Sequence, residues 1–283
     1  MKVGIVGLGV IGCSFAKAIK LKTHHTVFGM DRNSDTTIKA RINRMIDDTL
    51  TYANMPECEI ILLCLPLGDT IKYLEDYSRN FSESSIVLDC TTAKQHVCRI
   101  GAEMSKEYGF TFIGANPVTD TDREGIDGSH QNLFDKCSIT LATGYDAPIQ
   151  ALDKVNTFFN SIGFSNIEMC TPRENDRLCA YTMQLPKIIS SAYIGSESAA
   201  EHYGFSGTAY KEMTRGAKVN EAIADEMIEN ADFLAAELDG LIERLTAFSD
   251  ALTSSDRNAV KTLLYEGKKR KEYIDGKENN LWK

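Results

Sequence analysis

Three glycines in "VGIVGLGVIGCSFAKAI", Gly7, Gly9 and Gly12, are spaced as G-x-G-x-x-G between a β-rich run and an amphipathic helical one. Glycines in that order allow a tight turn, a close approach of backbone to a diphosphate, and close packing of helix on strand. Leu8, Val10 and Ile11 complete the turn as candidate cofactor contacts, and the phosphate charge rests on the helix N-terminus. A second β-rich run, "TVFGMD", ends in Asp31, about 20 residues beyond the glycines, where an acid accepts hydrogen bonds from a ribose. The chemistry implied is hydride transfer with a bound dinucleotide. Asp31 repels a 2′-phosphate and favours NAD, while the neighbouring Arg32 keeps NADP open. At the next two strand ends lie Leu65, Pro66 and Leu67 in "LLCLPLGDT", and Thr91, Thr92 and Lys94 in "LDCTTAK". The first group either touches the cofactor or merely ends a strand at a proline. Thr91 either caps the following helix or contacts the cofactor.

The loop "ANPVTDTDREG" carries Asn116 before a proline and then Asp120, Asp122 and Glu124. Asn116 either caps a turn, a common use of Asn-Pro, or meets a substrate. The acids either face solvent or hold the ammonium of an amino-acid substrate. Downstream, Arg215 in "EMTRGAK" is either a surface arginine or a bidentate carboxylate clamp. Lys187 follows Pro186 and is either a snorkelling surface lysine or an acid/base group. His130 in "DGSHQN" is either a surface histidine or a substitute base. The five histidines show no H-x-H or H-x-x-x-H spacing and the eight cysteines form no C-x-x-C, so no metal site is expected.

These residues must be positioned by a scaffold, and the pattern names its class. Up to about residue 170, strand-like runs ("VGIV", "TVFGMD", "EIILLCLP", "SSIVLDC", "FTFIGA", "SITLAT", "SNIEMC") alternate with helical segments near 11–22, 34–46, 69–79, 94–107 and 148–161. That alternation predicts an α/β fold with a doubly wound (Rossmann), mostly parallel sheet over 1–171. From 172 to 283 apolar residues recur at three- and four-residue spacing, predicting an all-α domain for substrate binding and dimerisation. Long amphipathic helices of this kind bury their stripe against a second copy, so a homodimer is expected. The net charge of −9 disfavours nucleic acid and anionic membranes as partners. With no apolar run of about 18 residues and no room for a leader, the chain reads as cytoplasmic, its thiols reduced.

Together these stretches resemble the prephenate and arogenate dehydrogenase family. "GLGVIGCSFAKAI" is similar to its GLGLIGGSLA-type opening, "LLCLPLGDT" to its strand ending in a VP pair, and "LDCTTAK" to its D-x-GSVK stretch. "IGANPVTDTDREGIDGSHQNLF" follows its HPMAG-containing loop, "ENDRLCAYTMQLPKIISSA" its HD…SHLPH helix, and "YKEMTRGAKVN" its TRIA segment. The resemblance implies oxidative decarboxylation of a cyclohexadienol acid, a step of tyrosine biosynthesis, with NAD or NADP taking the hydride. The family's catalytic base, the histidine of HPMAG, is matched here by Asn116, which can orient a hydroxyl but accepts no proton. Gln184 and Lys187 stand at the SHLPH histidines, Met183 at the serine, and Asn175-Asp176 at the HD pair. Thr92 keeps a hydroxyl at the GSVK serine, Arg215 the TRIA arginine, and Asp122 an acid at the loop glutamate. The resemblance thus assigns catalysis to Asn116, Lys187 and Thr92, and the binding of a small carboxylate substrate to Arg215, Gln184 and Asp122. Three readings stay open. The chain oxidises a prephenate-like acid with Lys187 as base, or it acts on another substrate, such as a β-hydroxyacid, with a lysine as acid/base, or it binds dinucleotide without turnover.

Overall fold

The computed structural model of the chain describes residues 1–119, 125–144, 147–218, 220–221 and 223–281. Its strands are β1 (Lys2–Val6), β2 (Thr26–Met30), β3 (Asp48–Thr49), β4 (Ile60–Leu63), β5 (Ile86–Asp89), β6 (Thr111–Val118), β7 (Ser138–Ala142) and β8 (Asn166–Cys170). They form one sheet in the order β3-β2-β1-β4-β5-β6-β7-β8. All neighbours are parallel except β6 and β7. The order reverses between β1 and β4, and a crevice at such a point is where open α/β sheets bind ligands. The seven strand runs read from the sequence all form strands; the two-residue β3 was too short to leave a pattern.

Helices α1 (Val10–Lys22), α2 (Ser34–Ile42), α3 (Leu67–Tyr77), α4 (Gln95–Tyr108) and α5 (Ile149–Ile162) connect the strands. They cover both faces, so the strands are apolar on both sides. In β4, Ile60 and Leu62 enter one core cluster while Ile61 and Leu63 enter the other. The first cluster is aromatic: Phe15 of α1 stacks on Phe134 at 4.2 Å between ring centroids, and Phe134 on Phe164 at 4.9 Å.

β6 overturns one expectation. The run "FTFIGA" predicts a strand ending before a turn at Asn116-Pro117, yet β6 continues through both residues to Val118. Pairing with β5 stops at Gly114, and only β7 accompanies residues beyond it. A proline there removes no bond to β5, because β5 has already ended. One row of paired residues, Leu63, Asp89, Gly114, Ala142 and Cys170, marks the common end of β4, β5, β7 and β8.

Among the described residues no strand follows Cys170. α6 (Pro172–Cys179) starts with a capping box in which Thr171 and Glu174 satisfy each other's backbone N–H groups. A π-helical turn, Ala180–Gln184, joins it to α7 (Leu185–Ile194). The turn stops just before Pro186, which has no N–H for an ordinary helical bond. α8 (Thr208–Arg215), α9 (Ile223–Glu229), α10 (Ala231–Thr253) and α11 (Arg257–Leu281) complete the chain. The chain divides into two compact units, Met1–Leu234 and Ala235–Lys283. The first holds the sheet and the helices through α9, and the second holds most of α10 and all of α11. No helix among the described residues is long and apolar enough to cross a membrane.

Candidate active site

The glycine turn is built as its spacing predicts. Gly7 has φ +92°, in the left-handed region, and a Cβ there would run into the carbonyl of Cys64 and lie 2.9 Å from Leu65 Cδ2. A Cβ on Gly12 would overlap the Gly7 carbonyl, which is why helix and turn can touch. Around Gly9 a Cβ would meet nothing within 4 Å, so this side of the turn is open. α1 has no side-chain cap and no acid in its first turn, leaving its N-terminal N–H groups, including those of Val10 and Ile11, for an anion.

Asp31 is pinned beside this turn, Oδ2 accepting from the Leu8 amide at 2.8 Å and Oδ1 from the Asn33 amide at 2.9 Å. Arg32 is 89% exposed, its guanidinium 3.7 Å from Asp69. Leu65 is half-buried and Pro66 exposed at the rim, whereas Leu67 turns into the core. Below the turn, Cys64 is pushed well above an ordinary thiol by a hydrogen bond with Cys90 and by burial. All eight cysteines are free thiols.

A second polar cluster lies at the ends of β5 and β6. Lys94 and Asp89 are both fully buried and form an ion pair, Nζ reaching Oδ1 and, at 2.6 Å, Oδ2. Burial pushes the Asp89 carboxyl up from its ordinary value, against the pull of the Lys94 ammonium. Thr91 joins the pair: its hydroxyl is bonded to Asp89 and Ala93 and accepts from Lys94. It therefore does not cap α4. That role falls to Asp176, whose two carboxylate oxygens accept the amides of Lys94 at 2.6 Å and Gln95 at 2.9 Å.

Asn175 spreads over the same edge. Its Nδ2 donates to the Thr92 carbonyl at 2.8 Å, and its Oδ1 accepts from the Thr140 hydroxyl at 2.8 Å and from Asn116 Nδ2 at 3.4 Å. Asn116 is 1% exposed, and its Nδ2 also points at Cys179 Sγ (3.2 Å) and Met183 Sδ (3.6 Å). Gln184 is fully buried, accepting from Asn230 Nδ2 at 2.8 Å and donating to the Glu226 carbonyl at 3.2 Å. Asn230 Nδ2 also donates to the Asp176 carbonyl at 2.9 Å, while its buried Oδ1 has no partner among the described residues. Glu226 of α9 completes the cluster, its Oε1 accepting the Thr92 amide at 3.3 Å.

Of the residues singled out in the sequence, Asn116, Thr92 and Gln184 thus meet in one network. Lys187 is half-buried in the first turn of α7 and has no hydrogen bond or ion pair among the described residues. Arg215 is exposed at the end of α8, which is tied to α7 by the Ser190 hydroxyl donating to the Met213 carbonyl at 2.5 Å. Asp120, Asp122 and Glu124 lie outside the described residues. His130 is exposed and braces its loop on α1, its amide donating to Ser14 Oγ at 3.0 Å. Sequence reasoning missed Glu226 and Asn230. Their signal was present: four residues apart, they share a helix face with Ile223 and Met227. No group of three or more potential metal ligands occurs among the described residues.

Residues 15–168 match the family described as prephenate dehydrogenase, nucleotide-binding domain. The chain is 25% identical to a cyclohexadienyl dehydrogenase of Zymomonas mobilis over 264 residues, covering 90% of this chain and 89% of that protein. Among solved structures it is similar to the arogenate dehydrogenase of Synechocystis, with TM-score 0.77 and 25% identity, covering 96% of this chain and all of that one. It also superposes on the prephenate dehydrogenase of A. aeolicus in complex with hydroxyphenyl propionate and NAD+, with TM-score 0.83 and 22% identity over 97% of this chain and 98% of that one. The family match spans more than half of the sequence, and this chain belongs to the prephenate dehydrogenase family.

Proposed function

We propose that the chain is an NAD-dependent dehydrogenase that oxidises a carboxylate-bearing ring alcohol of the cyclohexadienol class, with loss of CO2. The observation that carries this reading is the open cradle at Gly9, between a positive-φ glycine and a pinned carboxylate. Bound there, the dinucleotide supplies a hydride acceptor. The turn from Gly7 to Gly12 receives its diphosphate, and Asp31 accepts the ribose hydroxyls. Leu65 and Pro66 form the rim beside it. Asp31 would repel a 2′-phosphate, and Arg32 already faces Asp69, which favours NAD over NADP.

On the substrate side Arg215, Lys187 and Asp122 are assigned to the polar ends of the substrate, and the Thr92 hydroxyl to its ring oxygen. Asn116 holds rather than reacts: its NH2 group is committed to Asn175 and two sulphur atoms, and an amide takes no proton. Gln184 acts through the packing of α9. A Lys187→Met variant separates two roles for that lysine. A rise in KM with kcat kept marks a carboxylate ligand, and loss of kcat marks a proton acceptor.

Residues 1–171 are assigned to the nucleotide and 172–283 to substrate and a homodimer. Ile242, Leu245 and Leu252 of α10 are exposed at helical spacing, as are Leu264, Tyr265, Tyr273 and Ile274 of α11, and a second copy would bury them. A monomeric mass by light scattering overturns the dimer. The eight free thiols suit a cytoplasmic protein.

The deciding experiment mixes the purified chain with NAD and prephenate or arogenate and follows reduced nicotinamide by absorbance. Turnover is expected with one of them. The confinement of Asn116 favours a second reading, a dinucleotide-binding protein without turnover. Calorimetric heat with NAD but no absorbance change with these acids or with small hydroxyacids would establish that one instead.

A further inference from the structure

The oxidation needs a group that accepts the hydroxyl proton, and the described cluster offers few. Asn116, Asn175, Gln184, Asn230, Thr92 and Thr140 are neutral and accept none. Asp176 spends both oxygens on the N-terminus of α4, and Asp89 is sealed with Lys94. Lys187 makes no hydrogen bond or ion pair with this network among the described residues. Glu226 differs from all of these. It is half-buried, and its helix is fixed at two points, through Oε1 on the Thr92 amide and through its own carbonyl on Gln184. α9 is further seated on α3. Its second oxygen, Oε2, has no partner among the described residues.

We propose that Glu226 is the proton acceptor of the dehydrogenase reaction, occupying the role that Asn116 cannot fill. The inference rests on the dehydrogenase reading above. The arrangement is that of a positioned general base, with one oxygen held by a backbone N–H and the other free for substrate. With a dinucleotide bound to accept the carbinol hydrogen and its electron pair, the hydroxyl proton would pass to Glu226 Oε2 and the C–O bond would become a carbonyl. The ring carboxylate then departs as CO2, and its bonding pair enters the ring and makes it aromatic. The oxygen thereby becomes a phenolate and takes the proton back from Glu226, which regains its charge.

Glu226→Gln tests this, because the amide oxygen still accepts from Thr92 but takes no proton. We expect kcat to fall by about 100-fold or more. Affinity for hydroxyphenylpropionate in the presence of NAD, measured by calorimetry, should stay within about twofold of wild type. Activity of Glu226→Ala should return in part on adding formate, a small carboxylate that fits the vacated space. If Glu226→Gln keeps kcat within about threefold, or loses analogue binding or folding along with activity, Glu226 is structural and the proposal is overturned. Glu226→Asp keeps a carboxylate, and in the proposal it retains more activity than Glu226→Gln; equal activities count against it. An inactive wild-type chain overturns this proposal and the dehydrogenase reading together, whereas an active wild type with an active Glu226→Gln overturns this proposal alone.

Discussion

The glycine cradle and the cluster around Asn116 lie at the same edge of one sheet, yet they are built on different principles. The cradle works through backbone: a positive φ at Gly7, a missing side chain at Gly12 and open space at Gly9. Its glycines are close in sequence, while Asp31 and the rim residues Leu65 and Pro66 come from the next strand ends. The cluster works through side chains drawn from β5, β6, β7, α6, α9 and the π turn. A backbone site has few chemical solutions and so leaves a readable spacing. A side-chain site can exchange members while keeping its outline, so it leaves no fixed spacing to read.

The largest effect is expected at the buried ion pair. Lys94→Met should cost about 3–5 kcal/mol by stranding Asp89, measured by denaturant unfolding. Converting both partners, Asp89→Asn with Lys94→Met, should cost less than the single change. If it costs more, the pair contributes net stability to the cluster. Next, Gly12→Ala should destabilise by about 2 kcal/mol or more, because its Cβ meets the Gly7 carbonyl, and should abolish NAD binding in calorimetry. A variant that folds and binds NAD normally would break the claim that the cradle is a backbone device. Arg215→Ala should raise KM for the substrate by about tenfold with kcat little changed, the loss of one charged hydrogen bond. An unchanged KM removes it from the site.

The smallest effect belongs to an exposed pair that serves as reference for the buried one. Lys154 Nζ lies 2.6 Å from Glu59, and that hydrogen bond holds the Glu59 carboxyl below its ordinary value despite some burial. Its contribution is present above the ordinary carboxylate range and is lost as the pH falls through the lowered value. Lys154→Met should therefore cost about 0.5 kcal/mol near neutral pH and nothing in acid, in denaturant titrations at several pH values.

The sequence revealed the sheet, its connecting helices and the cradle, because each rests on local periodicity or spacing. It did not reveal that β6 runs through Pro117, since that depends on where its neighbour β5 ends. Nor did it reveal Asp176 as the cap of α4. That bond joins residues some eighty positions apart, whereas a cap supplied by Thr91 would have been local. Glu226 was missed for a related reason: although it shares a helix face with Ile223 and Met227, within "EAIADEMIEN" it reads as one acid among several, and the seating of α9 selects it.

The row from Leu63 through Asp89, Gly114 and Ala142 to Cys170 fixes where the helical half begins. Because β7 and β8 run back along the extension of β6, the chain leaves β8 level with the end of β5, and α6 starts there after a single linking residue, Thr171. The last two strands thus act as a ruler that sets the height of Asn175 and Asp176 above the sheet. Slipping either strand by one residue would move that pair by about 3.4 Å, further than a hydrogen bond can stretch, and would unfasten α4, Asn116 and Thr92 together.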